Sequence, residues 1–219
     1  GKALAQSFIN QEARVCIFDK QENPYFIGDL TNKSSIEEFV IKVIDEHGTI
    51  DLLINNAAPL MKGINDCSYE EFQEALSVGV TAAFYLSKLF ANHFNHNGSI
   101  INISSTREFM SQPQTECYAA AKGGIGSLTH ALAVSLGPKI RVNSLNLGWI
   151  NTTSQPFSES DHNQHPVNRI GTVEDVVSVI NFLCSKEASF ITGQSITVDG
   201  GMSKLMIYHN DHGWSYNNQ

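Results

Sequence analysis

Apolar and polar positions along this chain follow two alternating periods. Segments that repeat every three to four residues predict helices, and short, almost wholly apolar runs predict strands covered on both faces. A helix begins within Gly1–Phe8, with Leu4 and Phe8 on one face. Ala13–Asp19 (ARVCIFD) reads as a buried strand ending in an acid, and Tyr25–Leu30 as a short second strand. SSIEEFVIKVIDEHG is an amphipathic helix with Ile36, Phe39, Val40 and Val43 on its inner face and Gly48 at its end. Ile50–Ala58 is an apolar strand that stops at two asparagines, and one long helix is expected from Ser68 to Phe94. A strand over Gly98–Ser105, a helix over Tyr118–Leu136, a strand over Ile140–Gly148, a helix over Val173–Ser185 and a strand over Gln194–Gly201 complete the order. Strands alternating with helices predict parallel βαβ units. The expected fold is α/β, a doubly wound parallel sheet of Rossmann type, as a single domain over residues 1–219.

In open α/β sheets, ligands bind beyond the carboxyl ends of the strands. The polar residues there are Asp19, Asp29, Asn55, Asn56, Ser104, Ser105 and Gly148, although Asp, Asn, Ser and Gly are also ordinary turn residues. An acid at the end of the second strand of a dinucleotide fold accepts hydrogen bonds from the adenosine ribose. Asp19 stands there; it would repel a 2′-phosphate and so favours NAD over NADP, while Lys20 beside it weakens that inference. Thr152–Asn168 is polar and without periodicity, and is long enough to be expected as a substrate lid. Residues 202–219 form a C-terminal tail carrying Tyr208, Trp214 and Tyr216, which either anchor an oligomer contact, cover a neighbouring pocket or fold back on their own subunit.

Composition narrows the function. The formal net charge of −8 argues against nucleic acid, whose phosphates call for a basic surface. No apolar run approaches the roughly 18 residues of a membrane span. With no secretory leader evident, and with Cys16, Cys67, Cys117 and Cys184 scattered and lacking any CxxC, a cytoplasmic protein with reduced thiols is expected. His162 and His165 are widely spaced in a polar context and read as surface histidines, so no metal is expected.

YAAAK places Tyr118 and Lys122 one helical turn apart on one face. Bringing a tyrosine from about 10 to near neutrality requires roughly 4 kcal/mol of preference for the phenolate. A cation about 4 Å away supplies a comparable amount at an effective dielectric of about 20. Such a tyrosine can serve as general acid and base toward a substrate oxygen, although YxxxK is also a common exposed pair.

Several segments occur together in a familiar order. INNAA resembles an NNAG strand end with Ala58 in place of glycine; NISS carries Ser105, thirteen positions before Tyr118; YAAAK is followed by Gly123 and Gly124. RVNSLNLGWINT resembles RVNxxxPGxxxT with Leu147 in place of proline, and FITGQSITVDGG resembles a C-terminal signature. Over essentially its whole length the chain resembles the short-chain dehydrogenase/reductase family. The resemblance implies an NAD(H)-dependent oxidoreductase interconverting a small alcohol and a carbonyl. Tyr118 would be the general acid/base, Lys122 would lower its pKa and hold the nicotinamide ribose, and Ser105 would bind the substrate oxygen. Gly1 would align with the last glycine of the phosphate loop. Asp19 and Asp29 would face the adenosine, Asn55, Ala57 and Gly148 would line the cofactor groove, and Ile150 and Thr152 would meet the carboxamide and diphosphate. The partner is then a small-molecule substrate, and a homodimer or homotetramer is expected.

The chain also departs from the family pattern. Gly79 stands where asparagine is usual, either weakening a water relay to Lys122 or simply kinking the helix. It motivates an alternative: a catalytically weak NAD(H)-binding protein serving as redox sensor or scaffold. The TGxxxGIG loop and the first strand are absent, so a gap in the sheet and a segment upstream in the natural protein are expected. The short stretch from Asp19 to Asp29 is either a shortened connection or lacks a segment between Lys20 and Asn23. Arg107, two positions after Ser105, either faces an acidic substrate or is an exposed or ion-paired surface residue.

Overall fold

The computed structural model describes residues 1–153 and 155–215. Four parallel strands form the main sheet: β3 (Ile50–Asn55), β4 (Phe94–Ser105), β5 (Ile140–Leu147) and β8 (Ser195–Val198), in the order β3-β4-β5-β8. Two shorter parallel pairs lie beside it, β1 (Phe18–Asp19) with β2 (Phe26–Ile27), and β6 (Ile150–Asn151) with β7 (Gly171–Thr172).

Alternate residues of the strands feed two cores. On one face Ile100 and Val142 pack with Ile36, Phe39, Val40 and Val43 of α2 (Lys33–His47) and with Ala82, Leu86 and Phe90 of α4 (Ala82–Phe90). Leu132 and Ala133 of α5 (Glu116–Leu136) join the same core. On the other face Ile101, Ile103 and Leu145 meet Leu4 of α1 (Lys2–Asn10) and Val176, Ile180 and Leu183 of α7 (Val173–Cys184). Helices on both faces of a parallel sheet make this the doubly wound Rossmann-type fold in one domain. Side chains such as Ile100 and Ile101 are fully shut off from solvent, and each such burial stabilises by about 1.5–3 kcal/mol.

Local signals fix the helix ends. The Asn32 side chain accepts the amides of Ser34 and Ser35 to start α2, which stops at Gly48 with φ 75°. Reciprocal caps, Ser68 with Glu71 and Thr172 with Asp175, start α3 (Tyr69–Leu76) and α7.

Three expectations are corrected. The strand expected over Ala13–Asp19 is ordered as a ladder only at Phe18–Asp19, and the one over Tyr25–Leu30 only at Phe26–Ile27, because no main-sheet strand pairs with either among the described residues. The expected gap accordingly lies between this pair and β3, as a cleft of about 1660 Å³. The long helix over Ser68–Phe94 is instead α3, one π turn at Ser77–Thr81, α4 and a 3-10 turn at Ala91–His93, with Phe94 opening β4. Within Thr152–Asn168 lies the short helix α6 (Glu159–Asn163), capped by Ser158.

The Asp19–Asp29 connection is a closed turn. Asp19 accepts the Gln21 amide at 2.9 Å, and Asn23 accepts those of Tyr25 and Phe26 at 2.9 and 3.0 Å. The tail folds on itself, with the Asn210 amide donating to the Trp214 carbonyl at 2.8 Å; Tyr208 is exposed, and Tyr216 lies outside the described residues.

Candidate active site

Parallel strands end together, and β3, β4 and β5 place their last residues at one rim of the sheet. Ser104 and Ser105 end β4 opposite Asn146 and Leu147 of β5, and Asn55 ends β3 opposite Asn102. Helix α5 crosses behind this rim and brings Tyr118 and Lys122 to it. Together Asn56, Ser105, Tyr118, Lys122, Gly148, Ile150 and Thr152 surround a pocket of about 250 Å³.

The three residues expected to do chemistry meet here. Ser105 is buried; its Oγ donates to the Leu147 carbonyl at 3.3 Å and accepts the Arg107 amide at 3.3 Å. Tyr118 lines the same pocket as Ser105, whose hydroxyl favours the ionised phenol. Lys122 is 3% exposed, its Nζ donates to the Ile103 carbonyl at 2.6 Å, and it stands over the Tyr118 ring at 5.5 Å from the centroid.

The expectation that Lys122 lowers the Tyr118 pKa is not met in this arrangement. Burial pushes the phenol above its ordinary value, and what pulls it partway back is the Ser105 hydroxyl and the Arg107 charge. Lys122 is itself desolvated, pushed down to about 8 by burial alone, and its ammonium is aimed at a backbone carbonyl rather than at the phenol oxygen.

A buried polar chain supports the β3 side of the rim. Asn55 Nδ2 donates to Asn102 Oδ1 at 2.8 Å, Asn102 Nδ2 to Thr129 Oγ1 at 2.9 Å, and Thr129 Oγ1 to the Ile125 carbonyl at 2.8 Å. Asn102 and Thr129 are fully buried. Sequence reasoning assigns Asn102 no role; an amide between Ile101 and Ile103 is the available signal. Gly148 is required by close approach, since a Cβ there would sit 2.6 Å from the Asp199 Cβ.

Gly79 lies buried in the π turn, where a Cβ would stand 2.7 Å from the Ala121 Cβ and 3.3 Å from Pro59 Cγ. The glycine therefore fits the space left by Ala121, the residue before Lys122. A π turn beside a pocket is a frequent feature of functional sites.

The cleft between β1 and β3 leads toward this rim: its lining includes Gly1, Asp19, Asn55, Asn56 and Ala57, and Asn56 also borders the pocket. Most of that gap is lined by apolar core residues such as Phe39, Leu52, Leu53 and Phe90, and what suits a nicotinamide group is the rim pocket, with Ser105, Tyr118 and the buried Lys122 around it. Asp29 is placed differently. Its carboxylate accepts the Thr31 amide and hydroxyl at 2.8 Å and pairs with Lys20 Nζ at 3.1 Å, and it is absent from the cleft lining. Lys20 also reaches Glu74 at 3.8 Å, so its charge is shared between two carboxylates.

His165 is corrected as well. It is not a surface residue but 2% exposed, with Nδ1 3.2 Å from the Asp161 carbonyl and its ring 6.4 Å from that of Trp149. His162 Nδ1 accepts the Ile170 amide at 3.2 Å. Both histidines thus brace the chain around α6, and no cluster able to hold a metal occurs among the described residues.

Comparison with known proteins agrees with this geometry. A family pattern described as "Enoyl-(Acyl carrier protein) reductase" matches residues 1–203. An "Uncharacterized oxidoreductase" of Thermotoga maritima is 40% identical over 238 aligned positions, covering 95% of this chain and 93% of the relative. Among solved structures, an apo SCOR enzyme from Clostridium thermocellum superposes with a TM-score of 0.92 at 42% identity, covering 100% of this chain and 94% of that one. A 4-hydroxyisoleucine dehydrogenase complexed with NADH superposes with a TM-score of 0.86 at 28% identity, covering 94% of each chain.

Proposed function

Because the chain belongs to the short-chain dehydrogenase/reductase family, an oxidoreductase family, we propose that it interconverts a small alcohol and its carbonyl with NAD(H). The observation that carries this reading is the convergence of Ser105, Tyr118 and Lys122 on one pocket of about 250 Å³ beyond the strand ends.

Nicotinamide, when bound, supplies the hydride acceptor and donor. Tyr118 exchanges the proton of the substrate oxygen, as general base toward an alcohol and general acid toward a carbonyl. Ser105 hydrogen-bonds the same oxygen and holds it against the phenol. Lys122 would hold the nicotinamide ribose, with Asn55, Ala57, Gly148, Ile150 and Thr152 along the cofactor groove and Gly1 at the diphosphate. Asp19 would accept the adenosine ribose hydroxyls and select NAD over NADP. The pairing of Lys20 with Asp29 and Glu74 supports that choice, since little positive charge is left to receive a 2′-phosphate. Solved relatives include one complexed with NADH.

Thr152–Asn168 would act as the substrate lid. Trp149, between the pocket residues Gly148 and Ile150, packs edge-on against Phe157 of this segment with ring centroids 5.3 Å apart. Four free cysteines suit a reducing cytoplasm, and among the described residues no helix is long and apolar enough to cross a membrane. Assembly into a homodimer or homotetramer would cover apolar positions such as Phe84 of α4 and Val134 of α5, which are 45% and 84% exposed.

The test is titration of the protein with NAD(H) and NADP(H), followed by a steady-state survey of small alcohols, sugars, hydroxy acids and ketones. Turnover with NAD(H) and weaker binding of NADP(H) are expected; cofactor binding with no turnover across the survey would remove the enzymatic reading.

A further inference from the structure

Glu108 ends the 3-10 turn Thr106–Glu108, which leaves β4 directly after Ser105. The turn is fixed at its serine end, where the Arg107 amide donates to Ser105 Oγ at 3.3 Å. It is closed on itself by the Thr106 carbonyl, which accepts the amides of Phe109 and Met110 at 3.1 and 3.0 Å. Its far end is fixed by a side chain. The Glu108 carboxylate accepts from Ser104 Oγ at 3.2 Å, and the same hydroxyl stands 3.1 Å from the Lys122 carbonyl of α5. A hydroxyl has one proton to donate, so Ser104 shares it between the turn and the helix. Ser104 is buried and lines the rim pocket beside Ser105.

The carboxylate also rests on α5 itself. A Cβ at Gly126 would stand 2.4 Å from Glu108 Cδ and 2.5 and 2.6 Å from its two oxygens, so the helix leaves this space to the acid. Gly126 comes one helical turn after Lys122 and lies on the same face. Glu108 is half-buried and takes part in no ion pair among the described residues. Attraction to a cation therefore does not explain where the acid sits; the Ser104 hydroxyl and the space at Gly126 do. One three-residue turn is thus tied to Ser105 at its start and to the helix of Tyr118 and Lys122 at its end.

We propose that Glu108 is a positioning residue: seated on α5 at Gly126 and bonded to Ser104, it fixes the turn that holds Ser105 in place against Tyr118. Without it the turn is held at the serine alone, and Ser105 can shift along the rim relative to the phenol. Placement of this kind matters to rate, since moving a reacting group by about 1 Å can cost about 10²-fold. Glu108 acts through Ser104 and the turn, and touches the reacting atoms nowhere. The inference rests on the oxidoreductase reading for what Ser105 and Tyr118 do, so its test reads their placement rather than turnover.

The experiment is fluorine NMR of the full chain labelled with fluorotyrosine, in which the Tyr118 resonance is the one missing from Tyr118→Phe. Ser105→Ala defines the shift seen when the serine hydroxyl is taken from the phenol. Glu108→Ala should move the Tyr118 resonance in the same direction by at least about half as much. Glu108→Gln, which keeps an oxygen for Ser104, should leave it near the wild-type position. Ser105→Ala combined with Glu108→Ala should move it no further than Ser105→Ala alone. Gly126→Ala, whose Cβ takes the place of the carboxylate, should reproduce the Glu108→Ala shift, and it decides the matter by the same criteria if Glu108→Ala does not fold. A purely structural Glu108 would lower the urea midpoint and leave the Tyr118 resonance where it is. That result, additive shifts in the double variant, or a Tyr118 resonance indifferent to Ser105→Ala would each overturn the inference. Failure of the oxidoreductase reading shows separately, as absence of turnover in the survey of alcohols and ketones with these shifts intact.

Discussion

The Lys122 ammonium donates to the Ile103 carbonyl at 2.6 Å, inside a site where burial has already pushed the lysine down to about 8. That relationship has a cost in stability with a definite pH dependence. The folded protein holds this proton less tightly than the unfolded chain, whose lysine keeps its ordinary value near 10.5. Between pH 10.5 and 8 the unfolded chain therefore carries the extra proton, and stability falls as the pH drops through that window and is level below it. The difference corresponds to about 3 kcal/mol at about 1.4 kcal/mol per pH unit. Lys122→Met should abolish turnover yet raise stability at pH 7 by about 1–3 kcal/mol, part of the gain being lost because the Ile103 carbonyl is left unpaired. Urea denaturation at pH 7 and pH 9.5 checks the sign: the advantage of the variant should shrink at the higher pH.

Gly79 fills a place that has no room for a side chain. Gly79→Asn should destabilise the protein by about 1–3 kcal/mol through overpacking against Ala121. Adding Ala121→Gly should recover only part of this, because glycine in a helix interior costs about 1 kcal/mol itself. A double-mutant cycle by thermal denaturation should give a coupling of at least about 0.5 kcal/mol; strict additivity would separate the two positions.

Asn102 links Asn55, at the end of β3, to Thr129 of α5. Asn102→Ala strips the hydrogen-bond acceptor from Asn55 Nδ2 and the donor to Thr129 Oγ1. The expected loss is about 2–3 kcal/mol, since buried polar groups left unpaired cost about 1–3 kcal/mol. NADH affinity should fall as well, because Asn55 loses its support. A loss of stability with unchanged NADH affinity would confine the chain of hydrogen bonds to a structural role.

Much of this arrangement was legible in the sequence because it rests on period and spacing. The apolar positions Ile36, Phe39, Val40 and Val43 are the buried face of α2, and Tyr118 and Lys122 reach one pocket because they are one turn apart. What was not legible depends on neighbours distant in the chain. Residues 13–17 have β-like composition, but a strand needs a ladder partner, and among the described residues none of them stands in a ladder. The π turn at Gly79 follows from contact with Ala121, and the burial of His165 follows from packing on Trp149 and Gly200. Spacing brings Lys122 to the same pocket as Tyr118 but could not foresee that desolvation and the Ile103 carbonyl would govern its charge.

Asp19 is expected to set cofactor choice. Asp19→Ala should weaken NAD binding roughly tenfold, the worth of about 1.4 kcal/mol of ribose hydrogen bonding, and narrow the gap between NAD and NADP. Parallel fluorescence titrations of NADH and NADPH read this directly; an unchanged ratio would remove the aspartate from the adenosine site.

The central claim is that the Tyr118 hydroxyl moves the proton while a nicotinamide ring takes or gives the hydride. Its most direct test is the rate of NADH formation or consumption by Tyr118→Phe, measured alongside its NADH affinity. Loss of at least about 10²-fold in rate with affinity within threefold of wild type is the predicted result, in line with the usual worth of a positioned general acid/base. A Tyr118→Phe protein that turns over substrate at the wild-type rate would contradict the account.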